Sequence, residues 1–110
     1  MPKKKSDLLH GTLELLALKL LEREPMNGYS LGQQIRSITD HALSVDEGSL
    51  YPALYRMERR GWLTASWGVT PKNRRAKFYR ITSAGRKQLG LETSHWANFS
   101  EAVAKILGSA

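Results

Sequence analysis

The sequence has no cysteine, which excludes disulfides, thiolate zinc sites and a cysteine nucleophile. Acidic residues are scarce beside basic ones: 10 Asp and Glu stand against 17 Lys and Arg, for a formal net charge of +7. Long apolar runs are also missing. The longest, Leu15 to Leu21, is interrupted by Lys19 and falls well short of the roughly 20 residues that span a bilayer. Lys3, Lys4 and Lys5 form an N-terminal basic cluster, but Asp7, His10 and Glu14 break up the apolar stretch a secretory signal needs. His10, His41 and His95 lack the paired spacing of metal ligands. Gly28 and Gly32 lack the following lysine of a phosphate-binding loop, and nothing near Ser49 suggests a catalytic partner. The expectation is a soluble cytoplasmic protein that is not an enzyme and holds no metal or cofactor.

The 110 residues suffice for one domain with a short appendage. Leucines 9, 13, 16 and 20, broadened by Leu15, Leu18 and Leu21, predict a helix over residues 8–22, capped by Thr12 or Asp7. It ends before Glu24-Pro25, because the residue preceding proline avoids helical geometry. Residues Pro25 to Gly28 read as a turn. Asn27 then caps a second helix carrying Leu31, Ile35 and Ile38 on one face. After a loop from Asp40 to Gly48, Ser49 reads as the cap of a third helix, with Pro52 in its first turn and Gly61 as its left-handed terminator. Leu50, Leu54 and Met57 fall on one side of that helix; Pro52, Tyr55, Arg56 and Arg59 fall on the other.

The period then changes from helical to alternating. Leu63, Ala65 and Trp67 alternate with Thr64 and Ser66 as a strand; residues 68–73 read as a loop, and Lys77 to Ile81 as the return strand. Trp62 and Trp67 are expected to pack within this hairpin or the core. Thr82 or Ser83 caps a last helix reaching Leu107, with a bend or break expected near Gly90. On it Leu89, Trp96 and Val103 recur every seven residues, interleaved with Phe99 and Ile106. Such a seam predicts a homodimer interface. Trp96 and Phe99 are also candidates to stack a small aromatic effector.

Charge and element order converge. Arg56, Arg59, Arg60, Lys72, Arg74, Arg75, Lys77, Arg80, Arg86 and Lys87 share the segment 56–87 with a single acid, Glu58, for a local charge of +9, while the remaining residues sum to −2. A local excess of that size fits a polyanion. Three helices, a hairpin and a fourth helix are the order of a winged helix-turn-helix: mainly α with a small β-hairpin, the third helix entering the major groove of duplex DNA and the wing lying on the backbone or minor groove. The boundaries are a basic arm over 1–7, the DNA-binding domain over 8–82 and a dimerisation helix over 83–110. A cytoplasmic location close to the nucleoid follows. A winged-helix module binding a protein or RNA, without duplex sequence preference, is the alternative.

The chain also resembles the PadR-like transcriptional regulators, from about Leu8 to Leu107. The resemblance rests on Gly11-Thr12-Leu13, Pro25-Met26-Asn27-Gly28-Tyr29 and above all Gly48-Ser49-Leu50-Tyr51-Pro52-Ala53-Leu54. Leu63 to Trp67, Arg75 to Tyr79 and Ile81 to Arg86 add to it. Met26-Asn27 departs from the His that more often precedes Gly-Tyr, and the single C-terminal helix is that of the short subfamily. The resemblance implies a homodimeric repressor of a pseudo-palindromic operator, with some members responding to aromatic or drug-like molecules.

The candidate DNA contacts are therefore these. Tyr51 and Tyr55 are placed for phosphate, Arg56 and Arg59 for bases or phosphate, and Ser49 for capping and contact together. Pro52 fixes the helix entry, with its ring in reach of a thymine methyl. Two or three of Lys72, Arg74, Arg75 and Lys77 should meet phosphate. Backbone N–H groups at the start of the third helix are expected to do so as well.

Overall fold

A computed structural model describes residues 12–108. The basic arm, the Asp7 cap and the first turn expected from Leu8 lie outside them. Helix α1 (Leu13–Arg23) turns Leu13, Ala17, Leu18, Leu20 and Leu21 inward. Thr12 is its N-cap residue, the Thr12 carbonyl accepting the Leu16 N–H at 3.0 Å. The helix stops at Glu24, which is extended ahead of Pro25 as expected.

The segment read as a turn contains a third strand. Strand β1 (Met26–Asn27) pairs with β3 (Arg75–Ile81), Met26 opposite Tyr79 and Asn27 opposite Phe78. With β2 (Leu63–Val69) the antiparallel sheet has the order β1-β3-β2. The hairpin register sets Leu63 opposite Ile81, Ala65 opposite Tyr79 and Trp67 opposite Lys77. Both hairpin strands run two residues further toward the tip than expected. The tip closes by the Asn73 N–H donating to the Thr70 carbonyl at 2.8 Å, with Asn73 left-handed at φ 61.

Helix α2 (Gly28–Ile38) begins as expected, the Asn27 side chain accepting the Ser30 N–H at 2.7 Å. Leu31 and Ile35 are buried, while Ile38, in phase with them, is exposed. Helix α3 (Glu47–Arg59) departs from the expected cap. Asp46, not Ser49, holds that position, its carboxylate accepting the Ser49 N–H at 2.8 Å. A carboxylate there satisfies an open donor and meets the positive end of the helix dipole. Pro52 accordingly sits inside the helix, beyond its first turn. The C-terminal end follows expectation: Gly61 is at φ 81, its N–H donates to the Glu58 carbonyl, and the Trp62 N–H donates to that of Met57. These two bonds form a Schellman closure.

Helix α4 (Ser83–Gly108) is continuous through Gly90, contrary to the expected break. One glycine costs about 1 kcal/mol, which the surrounding turns of so long a helix absorb. Thr82 is its cap: its hydroxyl accepts the Gly85 N–H at 3.0 Å and donates to the Gly61 carbonyl at 2.6 Å. Gly85 permits this junction, since a Cβ there would run into the Trp62 carbonyl oxygen.

The core lies where α1, α2, α3 and the inner half of the sheet meet. Leu18, Leu31, Leu54, Met57 and Leu63 are fully enclosed, joined by Tyr79 from β3 and Leu89 from α4. No polar or charged residue is buried among the described residues. The core therefore rests on apolar burial, at roughly 25 cal/mol per Å². Beyond Leu89, α4 runs clear of this core, and the molecule extends 55 × 29 × 24 Å.

Candidate nucleic-acid interface

The local rules that build α3 also aim it. Leu50, Ala53, Leu54 and Met57 anchor one side in the core, so Tyr51, Pro52, Tyr55, Arg56 and Arg59 stand in solvent on the other. Ser49 is half-buried at the helix start. Arg59 lies over the Tyr55 ring at 5.7 Å, a cation–π contact that limits the freedom of both side chains.

Tyr51 leans back on the start of α2. A Cβ at Gly28 would meet its ring, so the glycine makes room for the aromatic. Burial, and then the nearby Glu47 carboxylate, push the Tyr51 hydroxyl above its usual pKa. It therefore stays protonated at neutral pH and can donate a hydrogen bond.

At the helix start, two carboxylates stand beside the backbone N–H groups expected to meet phosphate. Asp46 already occupies the Ser49 N–H, and Glu47 stands in the first turn. Both carboxylates repel phosphate. The exposed cations of α3 are Arg56 and Arg59, nearer its C-terminal end.

The wing brings the second group of cations. Lys72 and Arg74 lie in the tip loop and Arg75 begins β3; all three are exposed. Arg75 rests over the Trp67 ring at 5.2 Å. Lys77 differs from its neighbours. Its Nζ bonds Glu58 Oε1 at 3.0 Å and lies 5.5 Å from the Tyr79 ring centre. The Glu58 bond raises the Lys77 pKa above the ordinary value. Lys77, expected among the phosphate contacts, is thus engaged as a strut between the wing and α3. Arg60 is similarly engaged, bonded to Glu14 at 2.9 Å and stacked on Trp62 at 5.1 Å.

Two features escaped the sequence. Glu58, the only acid in the basic segment, works as the anchor for Lys77, a partner 19 residues away. Trp67, expected to pack, is 63% exposed. On α4, Trp96, Phe99 and Ile106 are exposed, the first two with ring centres 6.3 Å apart, and Val103 is half-buried. Leu89, expected in the same seam, is only 5% exposed and belongs to the chain's own core.

No group of three or more His, Asp or Glu residues that could hold a metal occurs among the described residues, and none of their helices is long and apolar enough to cross a membrane.

The profile of the transcriptional regulator PadR-like family matches residues 17–91. Among solved structures, a transcriptional regulator from Clostridium thermocellum is 30% identical, with a TM-score of 0.83 over 91% of this chain and 97% of its own. A PadR-like transcriptional regulator from Bacillus cereus is 29% identical, with a TM-score of 0.79 over 93% of this chain and 97% of its own. A PadR family transcriptional regulator from Eggerthella lenta is 33% identical, with a TM-score of 0.77 over 94% of this chain and 88% of its own.

Proposed function

The chain belongs to the transcriptional regulator PadR-like family, a family of DNA-binding regulators rather than enzymes, and from that premise we propose that it is a homodimeric repressor of a pseudo-palindromic operator. The observation that carries this is the exposed row Tyr51, Tyr55, Arg56 and Arg59 on a helix whose opposite side is locked in the core. Such a helix presents a rigid cationic and aromatic edge of a width that fits a major groove. Arg56 and Arg59 reach bases or the flanking phosphates. Lys72, Arg74 and Arg75 neutralise phosphate from the wing.

A second copy docks through the outer half of α4. Trp96, Phe99 and Ile106, respectively 48%, 63% and 77% exposed, supply an apolar stripe that a self-complementary partner would cover. Trp96 and Phe99 are also where a small aromatic effector that relieves repression would stack.

The test is selection from a random duplex library with the full chain. An enriched inverted repeat is expected, and Arg56→Ala with Arg59→Ala should abolish binding to it while circular dichroism and sedimentation stay unchanged. Operator affinity retained within threefold would remove this helix face from the reading.

A further inference from the structure

The wing carries an apolar patch that its own fold does not use. Leu63, Ala65, Trp67 and Val69 occupy alternate positions of β2 and so share one face, together with their register partners Ile81, Tyr79, Lys77 and Arg75. Near the body this face is core: Leu63 and Tyr79 are buried. Toward the tip it emerges, and Trp67 and Val69 stand 63% and 60% exposed. The opposite face treats its aromatic differently, for the Phe78 ring lies against Gly68, 3.1 Å from where a Cβ would be. Tyr79 is buried and Phe78 half-buried, whereas Trp67 is left out.

Two observations say what meets it. First, the exposed pair is flanked by the Arg75 cation, which lies opposite Val69 with its guanidinium over the indole, while Lys77 opposite Trp67 is already paired with Glu58. A symmetric contact with a second copy would bring like charges together. A polyanion with apolar surface between its charges fits both parts. Second, Lys77 on this face bonds Glu58 in the last turn of α3, so the face is turned toward the C-terminal end of the proposed recognition helix.

We infer that Trp67 and Val69, flanked by Arg75, form a clip for the sugar–phosphate wall of duplex DNA beside the groove entered by α3, the indole lying on deoxyribose C–H edges. This rests on the DNA-binding reading above and adds a contact to it. Trp67 lies on the flank of the hairpin, and the tip is formed by Pro71, Lys72, Asn73 and Arg74. The indole therefore lies along the wall and does not wedge between base pairs. Its contribution is independent of sequence.

The experiment uses the full chain and a fluorescently labelled mixed-sequence duplex of about 30 base pairs, long enough for two half-sites. Trp67→Ala should weaken binding about tenfold, the scale of the apolar indole area covered, with the slope of log K against log salt unchanged, because no charge is lost. Arg75→Ala should weaken binding and reduce the slope by about 0.9 for each phosphate released. In a Trp62→Phe/Trp96→Phe chain, Trp67 emission should shift to shorter wavelength when duplex saturates the protein. If Trp67→Ala binds like a wild-type chain that does bind duplex, or if Trp67 emission does not move, the clip is overturned alone. A Trp67→Ala chain whose sedimenting mass differs from wild type overturns it in favour of an interface between copies. A wild-type chain that binds no duplex at low salt overturns the clip and the DNA-binding reading together.

Discussion

Replacing Lys77 by methionine tests whether the wing's cations do separate work. Counterion release lowers the salt slope of DNA binding by about 0.9 for each phosphate a cation neutralises. Arg74 is exposed at the wing tip, so Arg74→Gln should reduce the slope by about 0.9 per protomer, or about 1.8 for a symmetric pair of protomers. Lys77 is already bonded to Glu58 at 3.0 Å, with the two side chains 34% and 32% exposed. Lys77→Met should therefore leave the slope within about 0.3 of wild type. Its cost should appear in folding, at about 0.5 kcal/mol, the scale of a half-exposed ion pair. The assay is fluorescence anisotropy on a selected operator duplex across a salt series, with urea unfolding in parallel. A Lys77→Met slope reduced as much as that of Arg74→Gln would refute the strut, for it would mean that Lys77 leaves Glu58 to meet phosphate.

Other outcomes follow from the same geometry. Phe99→Asp with Val103→Asp should give monomers in sedimentation, and an unchanged dimer would move the interface off α4. Gly85→Ala should destabilise the fold by about 2–3 kcal/mol, because its Cβ would meet the backbone carbonyl of Trp62, which no rotamer change can remove; urea unfolding within 0.5 kcal/mol of wild type would contradict the close approach. Asp46→Ala should cost about 1 kcal/mol in the same measurement, whereas Ser49→Ala should cost less, since the Asp46 side chain makes the cap. Burial raises the Tyr51 and Tyr79 hydroxyls above 10.0, and Glu58 raises Lys77 above 10.5. The folded state then holds more protons than the unfolded one in that range. This part of the stability is complete below about pH 10 and is lost as pH rises through the folded values, so Tm should fall from about pH 10 upward. A Tm that rises there would reverse the sign.

The two sides of α3 were legible because Leu50, Leu54 and Met57 repeat at helical spacing, which leaves Tyr55, Arg56 and Arg59 nowhere but outside. Strand β1 was not legible: two residues have no period, and their strand character comes from Tyr79 and Phe78, more than 50 positions away. The cap was misplaced by three residues because Asp46 and Ser49 are both good capping residues, and only the hydrogen bond between them distinguishes their roles. Alternation put Trp67 on the core face of the hairpin, but alternation is silent on how far along that face the core extends. The sign of the charge at Lys77 was plain, while its partner Glu58 lies on another element.

Thr82 has a consequence of scale. Through one side chain it joins the end of α3, the end of the wing and the start of a 26-residue helix about 39 Å long. In the proposed dimer, the lever that carries the second protomer is thereby tied by two hydrogen bonds to the end of the proposed recognition helix. In that dimer the length of α4 would set the distance between the two proposed reading heads, to be matched against the roughly 34 Å repeat of the duplex. Operators would be sorted by the gap between their halves as strictly as by the bases within them.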